Sequence, residues 1–291
     1  MCGIAGLWIP AGAPRERLER QALAMTTRLL HRGPDDGGVW SDEASGIALA
    51  QRRLAIIDLS PAGHQPMHSA CGRYAAVFNG EIYNHLDLRA RLAAEGQAPM
   101  WRGHSDTETL VACIAAWGLE PALQACIGMF ALALWDRRER SLALARDRLG
   151  EKPLYYGWQG DALLFGSELK ALKAYEGFRP DVDRDALTLL LRHNCVPAPY
   201  SIYRGIAKLR PGHVLRLQAG GPRDAEPQPY WRYNDVVAAG LAEPFFGSDR
   251  DAIDALETQI AQSVRAQMLA DVPLGAFLSG GIDSSTIVAL M

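Results

Sequence analysis

The chain begins Met1-Cys2-Gly3, so a cysteine directly follows the initiator methionine. Cysteine is small enough for an aminopeptidase to remove Met1, which would leave Cys2 with a free α-amine. One residue would then carry both a nucleophile and a base, because the thiol has a pKa of about 8.5 and the amine one of about 7.7–8.0. The simpler alternative is an ordinary N-terminal strand, since a lone cysteine is weak evidence for catalysis.

A second stretch that could do chemistry, residues 279–285, reads Ser-Gly-Gly-Ile-Asp-Ser-Ser. The apolar residues 274–278 predict a short buried strand before it, and a helix is predicted to begin within the stretch. Backbone N–H groups and serine hydroxyls at a glycine turn and helix N-terminus suit the phosphates of a nucleotide. Asp283 would repel a phosphate unless a cation lay between them, which implies Mg²⁺ held by Asp283. The alternative is a plain strand-to-helix turn with a Ser/Asp cap.

The composition sets limits on the class of protein. The 291 residues are 48% apolar and carry a net charge of −3, which suits a folded chain of about two domains. Neither the charge nor the hydropathy pattern predicts a nucleic-acid partner or a membrane segment. The five cysteines form no CxxC pair and no zinc-type cluster, so we expect a reducing, cytoplasmic setting.

Helices and strands must position these two stretches. Helices are predicted over residues 15–31, 86–92 and 185–193, and others from Ser105 and from Ser248. In the helix over residues 185–193, we expect Leu187, Leu190 and Leu191 to be buried. Ser105 and Glu108 have the spacing of a capping box. Strands are predicted over residues 46–50, 53–57, 74–78, 129–135, 142–146, 154–158 and 163–167. Many short strands with a few helices between them predict an α+β layered fold.

The local composition changes from about Pro197, and proline and glycine are frequent from there to Pro229. This predicts a join between two domains near residue 210, with a hairpin strand over residues 213–217 inside it. We expect one domain over residues 1–210, a linker over 211–247, and the start of a second domain over 248–291.

Taken together, the two chemical stretches resemble one family. Residues 2–6 resemble the start of a class II glutamine amidotransferase, an N-terminal-nucleophile hydrolase. Residues 279–285 resemble the pyrophosphate-binding loop (SGGxDS) of ATP-pyrophosphatase domains, and the pairing is similar to the glutamine-hydrolysing asparagine synthetase family. Six further motifs match in order: His31-Arg32-Gly33-Pro34-Asp35, Arg53-Leu54-Ala55-Ile56-Ile57-Asp58, Phe78-Asn79-Gly80-Glu81-Ile82-Tyr83-Asn84, Ser105-Asp106-Thr107-Glu108, Arg146-Asp147-Arg148-Leu149-Gly150 and Ser167-Glu168-Leu169-Lys170-Ala171.

The resemblance implies a fold and a glutamine site. The fold would be an N-terminal-nucleophile hydrolase α/β/β/α sandwich, followed by the beginning of a Rossmann-like α/β domain. Cys2 would attack the glutamine side-chain amide, with an oxyanion hole formed by the Asn79 side chain and the Gly80 backbone N–H. The glutamine-binding residues implied are Arg53, Leu54, Ile56, Ile57, Asn79, Gly80, Glu81 and Asp106.

Within that site, Arg53 would hold the α-carboxylate, while Glu81 and Asp106 would hold the α-ammonium. Each residue type also has a plainer interpretation. Asn-Gly is the commonest hairpin-turn dipeptide. Asp106 could merely favour the first turn of its helix, and Arg53 could be a surface arginine.

The resemblance also implies ATP as a substrate. The ATP-binding residues would be Leu278, Ser279, Gly280, Gly281, Asp283, Ser284 and Ser285. ATP would adenylate a carboxylate, that of aspartate in asparagine synthetase, and ammonia from glutamine would displace AMP. Alternatives left open are another carboxylate acceptor, as in surface-polysaccharide or peptide biosynthesis, and a chain with glutaminase activity only. Because only one strand of a nucleotide-binding sheet is expected, we expect a truncated second domain, and the family suggests a homodimer.

Overall fold

The computed structural model describes residues 2–291. The strands are β1 (Gly3–Trp8), β2 (Asp36–Asp42), β3 (Ile47–Arg53), β4 (Met67–His68), β5 (Tyr74–Ile82), β6 (Gly128–Asp136), β7 (Ser141–Arg146), β8 (Tyr155–Gln159), β9 (Ala162–Gly166), β10 (Ile206–Lys208), β11 (His213–Gln218) and β12 (Gln228–Pro229). The helices are α1 (Arg15–Thr27), α2 (His85–Ala94), α3 (Asp106–Trp117), α4 (Leu119–Ala125), α5 (Leu169–Leu172), α6 (Arg184–His193), α7 (Tyr233–Ala242), α8 (Asp249–Gln267) and α9 (Ile282–Leu290).

Two six-stranded sheets are stacked face to face and carry helices on their outer surfaces. The strand orders are β10-β8-β9-β1-β3-β2 and β12-β11-β7-β6-β5-β4. Helices α1 and α5 pack on the first sheet, and α2, α3 and α4 pack on the second. The predicted α+β layered fold is therefore confirmed.

The side-chain alternation of the strands builds three apolar layers. In β1, Ile4 and Trp8 enter the core between the sheets, whereas Leu7 packs under α1. In β5, Val77 faces the core between the sheets and Phe78 faces the α3 side. Because successive residues of a strand point to opposite faces, one strand serves two layers. The N-terminal strand β1 is hydrogen-bonded to β3 on one side and to β9 on the other, and both of its faces are packed.

The first helix is shorter than predicted. Helix α1 ends at Thr27, although Leu29 beyond its end is fully buried. Residues 28–32 form turns that lead to Gly33, where a Cβ atom would lie 2.4 Å from the backbone of Arg52. The chain must leave the helix early to make this close approach.

The region around Arg53 corrects two predictions. The predicted strand over residues 53–57 is absent, because β3 ends at Arg53 and residues 54–57 form a loop. Strand β2, which was not predicted, pairs with β3 along its whole length. Strand β2 was not recognised because its first residues, at the end of the 33–37 stretch, are typical of a turn. Residues 54–57 form a loop because the Arg53 guanidinium donates hydrogen bonds to the carbonyls of Ile57 and Ser60.

The segment predicted to be a linker contains β11, which pairs with β7 and so extends the second sheet. The position of the domain boundary stays a prediction. Within residues 2–291, no helix is both long and apolar enough to cross a bilayer.

Two predictions of burial near the C-terminal end are wrong. In α6, Leu187, Leu190 and Leu191 are exposed. Residues 274–278 form no strand, and Phe277 is fully exposed. A strand needs neighbours for its backbone hydrogen bonds and an apolar helix face needs a covering surface. Within residues 2–291 no strand lies beside this segment, and sequence periodicity cannot show whether such a partner is present.

Candidate active site

The sulphur of Cys2 lies against one peptide unit of the loop after β3. It accepts a hydrogen bond from Leu54 N–H at 3.4 Å and faces the Leu54 carbonyl oxygen at 3.6 Å. Burial raises the pKa of the Cys2 thiol, although the Leu54 contact and the charge of Arg53 oppose that effect. A thiol with a raised pKa needs an adjacent base to become a nucleophile near neutral pH.

The main chain at Cys2 is fixed by Arg32. Arg32 Nε donates to the Cys2 carbonyl oxygen at 2.8 Å, and its Nη1 pairs with Glu168 at 2.9 Å. Burial alone would raise the pKa of Glu168, but hydrogen bonds from Arg32, Lys170 and His31 lower it to about 2. The carboxylate therefore stays ionised and anchors the arginine that holds the Cys2 main chain.

Asn79 and Gly80 lie inside β5, paired with Ala131 and Phe130, and not in a hairpin turn. The Asn79 side chain is buried, and its Nδ2 has no hydrogen-bond partner among residues 2–291. A buried donor without an acceptor costs about 1–3 kcal/mol. A substrate oxygen in the cavity could supply that acceptor.

Gly80 is required by the packing of β5 on β6. A Cβ atom at Gly80 would lie 2.2 Å from the Met129 carbonyl oxygen. A side chain at this position would push the two strands apart and displace Asn79. The glycine thus keeps the backbone of β5 accessible from the cavity.

Arg53 forms one end of the site. Its guanidinium donates to the Ile57 carbonyl at 3.2 Å and the Ser60 carbonyl at 3.3 Å, and also to the carbonyl of Asp58. Among residues 2–291, no carboxylate forms an ion pair with it, so its charge is available to an anionic ligand. Gly63 leaves space for this side chain, since a Cβ there would lie 1.9 Å from Arg53 Nη2.

Two carboxylates, Glu81 and Asp106, also line the site. Asp106, at the first position of α3, accepts hydrogen bonds from Ile82 N–H at 2.9 Å and from Thr107 N–H at 2.7 Å. Burial raises the pKa of Glu81 to about 7, with the charge of Asp106 adding to the effect and that of Lys152 opposing it. Two carboxylates held close in a half-buried site favour a ligand with a positive charge.

The structure brings together every residue predicted to act on glutamine. One cavity of about 270 Å³ is lined by Cys2, Arg53, Leu54, Ile56, Ile57, Asn79, Gly80, Glu81 and Asp106. A thiol, a buried amide, a cation and two carboxylates thus face a space suited to an amino acid. The role of each residue stays a prediction.

Sequence reasoning missed several residues of the cavity. Gln65, Thr107 and Lys152 also line it. Gln65 Oε1 accepts from Phe78 N–H at 2.7 Å, and its Nε2 donates to Thr107 Oγ1 at 3.3 Å, which ties β5 to α3 beside Asn79. Thr107 belongs to a quoted motif, whereas Gln65 carried no signal, because its role depends on a contact between distant segments.

The predicted nucleotide loop lies elsewhere, on the exposed C-terminal segment. Ser279 Oγ and Ser284 Oγ are 2.9 Å apart, and Gly281 N–H donates to Ser279 Oγ at 3.4 Å. Gly280 has φ +78°, and a Cβ there would meet no heavy atom within 4 Å, so space above the loop is open. Helix α9 begins here as predicted, which directs its N-terminal N–H groups toward the loop.

The remaining predicted nucleotide residues do not form a closed site. Leu278 is 62% exposed, and Asp283 and Ser285 stand in the first turn of α9. Among residues 2–291, no group of three His, Cys, Asp or Glu side chains could hold a metal ion. The assignment of Mg²⁺ to Asp283 therefore stays a prediction.

Two protein-family models match the chain. The model described as "Glutamine amidotransferase domain" matches residues 1–231, and the model described as "Asparagine synthase" matches residues 255–291. The chain belongs to the glutamine amidotransferase family. The predicted pairing of this domain with the start of an asparagine synthase region is confirmed, in the predicted order.

Individual relatives agree with these matches. The chain is 35% identical over its full length to "Asparagine synthetase [glutamine-hydrolyzing] 3" of Bacillus subtilis and covers 45% of that protein. It is 33% identical to "Putative asparagine synthetase [glutamine-hydrolyzing] 2" of Methanocaldococcus jannaschii, of which it covers 57%. It is also 33% identical to "Amidase chry2" of Gibberella zeae, of which it covers 43%. The chain thus spans about half the length of these relatives.

A solved structure confirms the fold of the first part of the chain. The glutamine phosphoribosylpyrophosphate amidotransferase of B. subtilis, complexed with ADP and GMP, superposes with a TM-score of 0.56 at 19% identity. The match covers 79% of this chain and 49% of that one. The predicted N-terminal-nucleophile hydrolase sandwich is therefore confirmed.

Proposed function

We propose that this chain hydrolyses the side-chain amide of glutamine at Cys2 and releases ammonia. The observation that carries the proposal is the single 270 Å³ cavity in which the Cys2 thiol, the unpartnered Asn79 amide and the Arg53 guanidinium all meet. The glutamine amidotransferase match over residues 1–231 supports it.

In the first step, the α-amine of a processed Cys2 takes the thiol proton and the sulphur attacks the amide carbon. The negative charge that develops on the amide oxygen is stabilised by Asn79 Nδ2 and Gly80 N–H, where one such donor is worth about 10²–10³ in rate. The C–N bond then breaks and ammonia leaves with the transferred proton. Water hydrolyses the resulting thioester to glutamate and regenerates the thiol.

The charged residues of the cavity select the amino-acid head group. Arg53 binds the α-carboxylate, because a guanidinium can donate two parallel hydrogen bonds to a carboxylate. Glu81 and Asp106 bind the α-ammonium. Backbone groups of residues 54–57 complete the pocket. A glutamine bound this way has its side chain directed toward Cys2.

We further propose that the ammonia serves a synthetase reaction in which ATP activates a carboxylate. The asparagine synthase match over residues 255–291 and the names of two relatives support aspartate as the acceptor and asparagine as the product. The open loop of residues 279–285 fits a phosphate, with Mg²⁺ at Asp283. When bound, ATP would supply an adenylate leaving group, and pyrophosphate would be released.

The acceptor is the least constrained part of the proposal. A relative named as an amidase is as similar to this chain as one named as an asparagine synthetase. Another carboxylate is therefore the alternative acceptor, and a homodimer also stays a prediction. Ammonia release at Cys2 is common to both acceptors, so it is the step to test first.

The test is the intact mass of the 291-residue chain after incubation with a glutamine-derived diazoketone. We expect loss of Met1 and one stoichiometric adduct in the wild type, and no adduct in Cys2→Ala. Ammonia release from glutamine, measured in parallel, should disappear in the same variant.

Cys71→Ala is the matched control, because Cys71 is an exposed cysteine and its pKa is lowered, chiefly by a hydrogen bond with Ser69. A non-specific reagent would modify Cys71 readily, so an adduct that persists in Cys71→Ala and disappears in Cys2→Ala identifies the cavity thiol. Retention of Met1, or an adduct that survives Cys2→Ala, would refute the proposed nucleophile.

A further inference from the structure

Asp271 connects the C-terminal segment to the glutamine cavity. It lies between α8 and the 279–285 loop, within the segment that matches the asparagine synthase family. Its N–H donates to the Ile56 carbonyl at 2.9 Å, and Asp58 N–H donates to its Oδ2 at 2.7 Å. The same Oδ2 lies 2.6 Å from His104 Nε2. Three hydrogen bonds thus attach this half-exposed residue to two loops of the first domain.

The first of these loops holds the arginine end of the cavity. Ile56 lines the cavity, and the carbonyl of Asp58 accepts from the Arg53 guanidinium. Asp58 is fully buried and has φ +59°, in the left-handed region that few non-glycine residues adopt. A backbone in that region needs outside support. The contact from Asp58 N–H to Asp271 is one such support.

The second loop holds the carboxylate end. His104 comes two residues before Asp106, and its own N–H donates to Asp58 Oδ2 at 2.8 Å. Between them, Ser105 caps α3 by accepting from Glu108 N–H. Asp271 therefore bridges the loop that follows Arg53 and the loop that leads to Asp106.

We infer that Asp271 is a positioning residue for glutamine binding, by which the synthetase segment fixes the loop that follows Arg53 relative to the loop that leads to Asp106. The inference rests on the proposed glutaminase function. Asp271 does not touch the cavity, so it acts on substrate through Ile56, Asp58 and His104. Hydrogen bonds from His104 and Asp58 N–H lower the pKa of Asp271, so its carboxylate is ionised when it bridges the loops.

The inference is tested by steady-state glutaminase kinetics of Asp271→Ala and Asp271→Asn in the 291-residue chain. We expect KM for glutamine to rise about tenfold in Asp271→Ala while kcat stays within about twofold, since the head-group contacts loosen and the reacting groups do not move. The rise in KM should be smaller in Asp271→Asn, because the amide oxygen of the asparagine can still accept from Asp58 N–H. His104→Ala should resemble Asp271→Ala, and the double variant should be little worse than either.

Two labels of Cys2 separate positioning from a general loss of structure. A glutamine-derived diazoketone needs the head-group contacts, so its labelling of Asp271→Ala should slow about tenfold at sub-saturating reagent. Iodoacetamide lacks the head group and should label the variant at the wild-type rate. Glu257→Gln removes an exposed carboxylate from α8 and is the matched control, with wild-type kinetics expected.

The outcomes distinguish the two proposals. A wild-type chain without Cys2-dependent glutaminase activity would overturn the proposed function and this inference with it. An active wild type with unchanged KM in Asp271→Ala would overturn the inference alone. Equal slowing of both labels would also overturn it, because that result would mean general damage to the domain.

Discussion

Arg53, Asn79 and Asp106 are each less than a tenth exposed, whereas Leu278 is 62% and Ile282 is 86% exposed. The first three belong to a cavity whose walls come from both sheets and from α3. The other two adjoin a loop that no strand of residues 2–291 supports. Both regions carry motifs of similar strength in the sequence. The comparison shows that a motif specifies local chemistry, while a working site also needs surrounding elements to desolvate and fix it.

The largest expected difference between the regions is in stability. Phe165 is fully buried between the sheets, and Phe277 is fully exposed. We expect Phe165→Ala to lower the free energy of unfolding by about 3–5 kcal/mol, and Phe277→Ala to change it by less than about 0.5 kcal/mol. Urea unfolding of the 291-residue chain measures both. Similar losses would mean that the C-terminal segment is packed against the first domain.

A second test concerns the buried amide of the first region. We expect Asn79→Ala to lower kcat for glutamine hydrolysis by about 10²–10³ with little change in KM, because the donor acts on charge that appears in the transition state. Asn84→Ala is the control, since Asn84 follows the same strand and its side chain bonds the backbone of residues 125 and 127, outside the cavity. A rise in KM at constant kcat would instead assign Asn79 to ground-state binding.

A third test concerns the cation of the first region. Arg53→Lys keeps the charge but loses the forked geometry, so we expect KM for glutamine to rise about tenfold or more with a smaller change in kcat. The neighbouring Arg52→Lys is the control, because Arg52 Nε donates to the Gly33 carbonyl. If the two variants had equal KM values, the α-carboxylate of glutamine would have to bind to a residue other than Arg53.

The smallest expected effect is a pH dependence. Burial raises the pKa of Glu81 to about 7, so this carboxylate is protonated below that pH and then attracts the α-ammonium less. We expect kcat/KM to fall as pH drops through about 7 in the wild type. In Glu81→Gln, kcat/KM should be lower, and its dependence on pH in this range flatter. A variant that retains the wild-type inflection would exclude Glu81 as its source.

The glutamine site was more predictable than its surroundings. The residues carried over from the motifs at 53–58, 78–84 and 105–108 all line one cavity. The strand predicted over residues 53–57 was wrong, because Arg53 draws the following backbone into a loop by hydrogen bonds to its carbonyls. Gln65 and Lys152 could not be found in advance, since nothing local to either residue indicates which distant groups it meets.

What the sequence alone determined is the chemistry and most of the framework. The resemblance of the motifs gave the family. Local propensity and side-chain alternation, which act over a few residues, gave the layered fold. The nucleophilic role of Cys2 stays a prediction. Only the tertiary structure decided that Asn79 is a buried donor without a partner among residues 2–291 and that Asp271 is hydrogen-bonded to two loops beside the Cys2 cavity. It also showed that the apolar faces of α6 and residues 274–278 are uncovered. Burial and hydrogen-bond partners depend on segments far apart in the chain, so they are settled only when those segments meet.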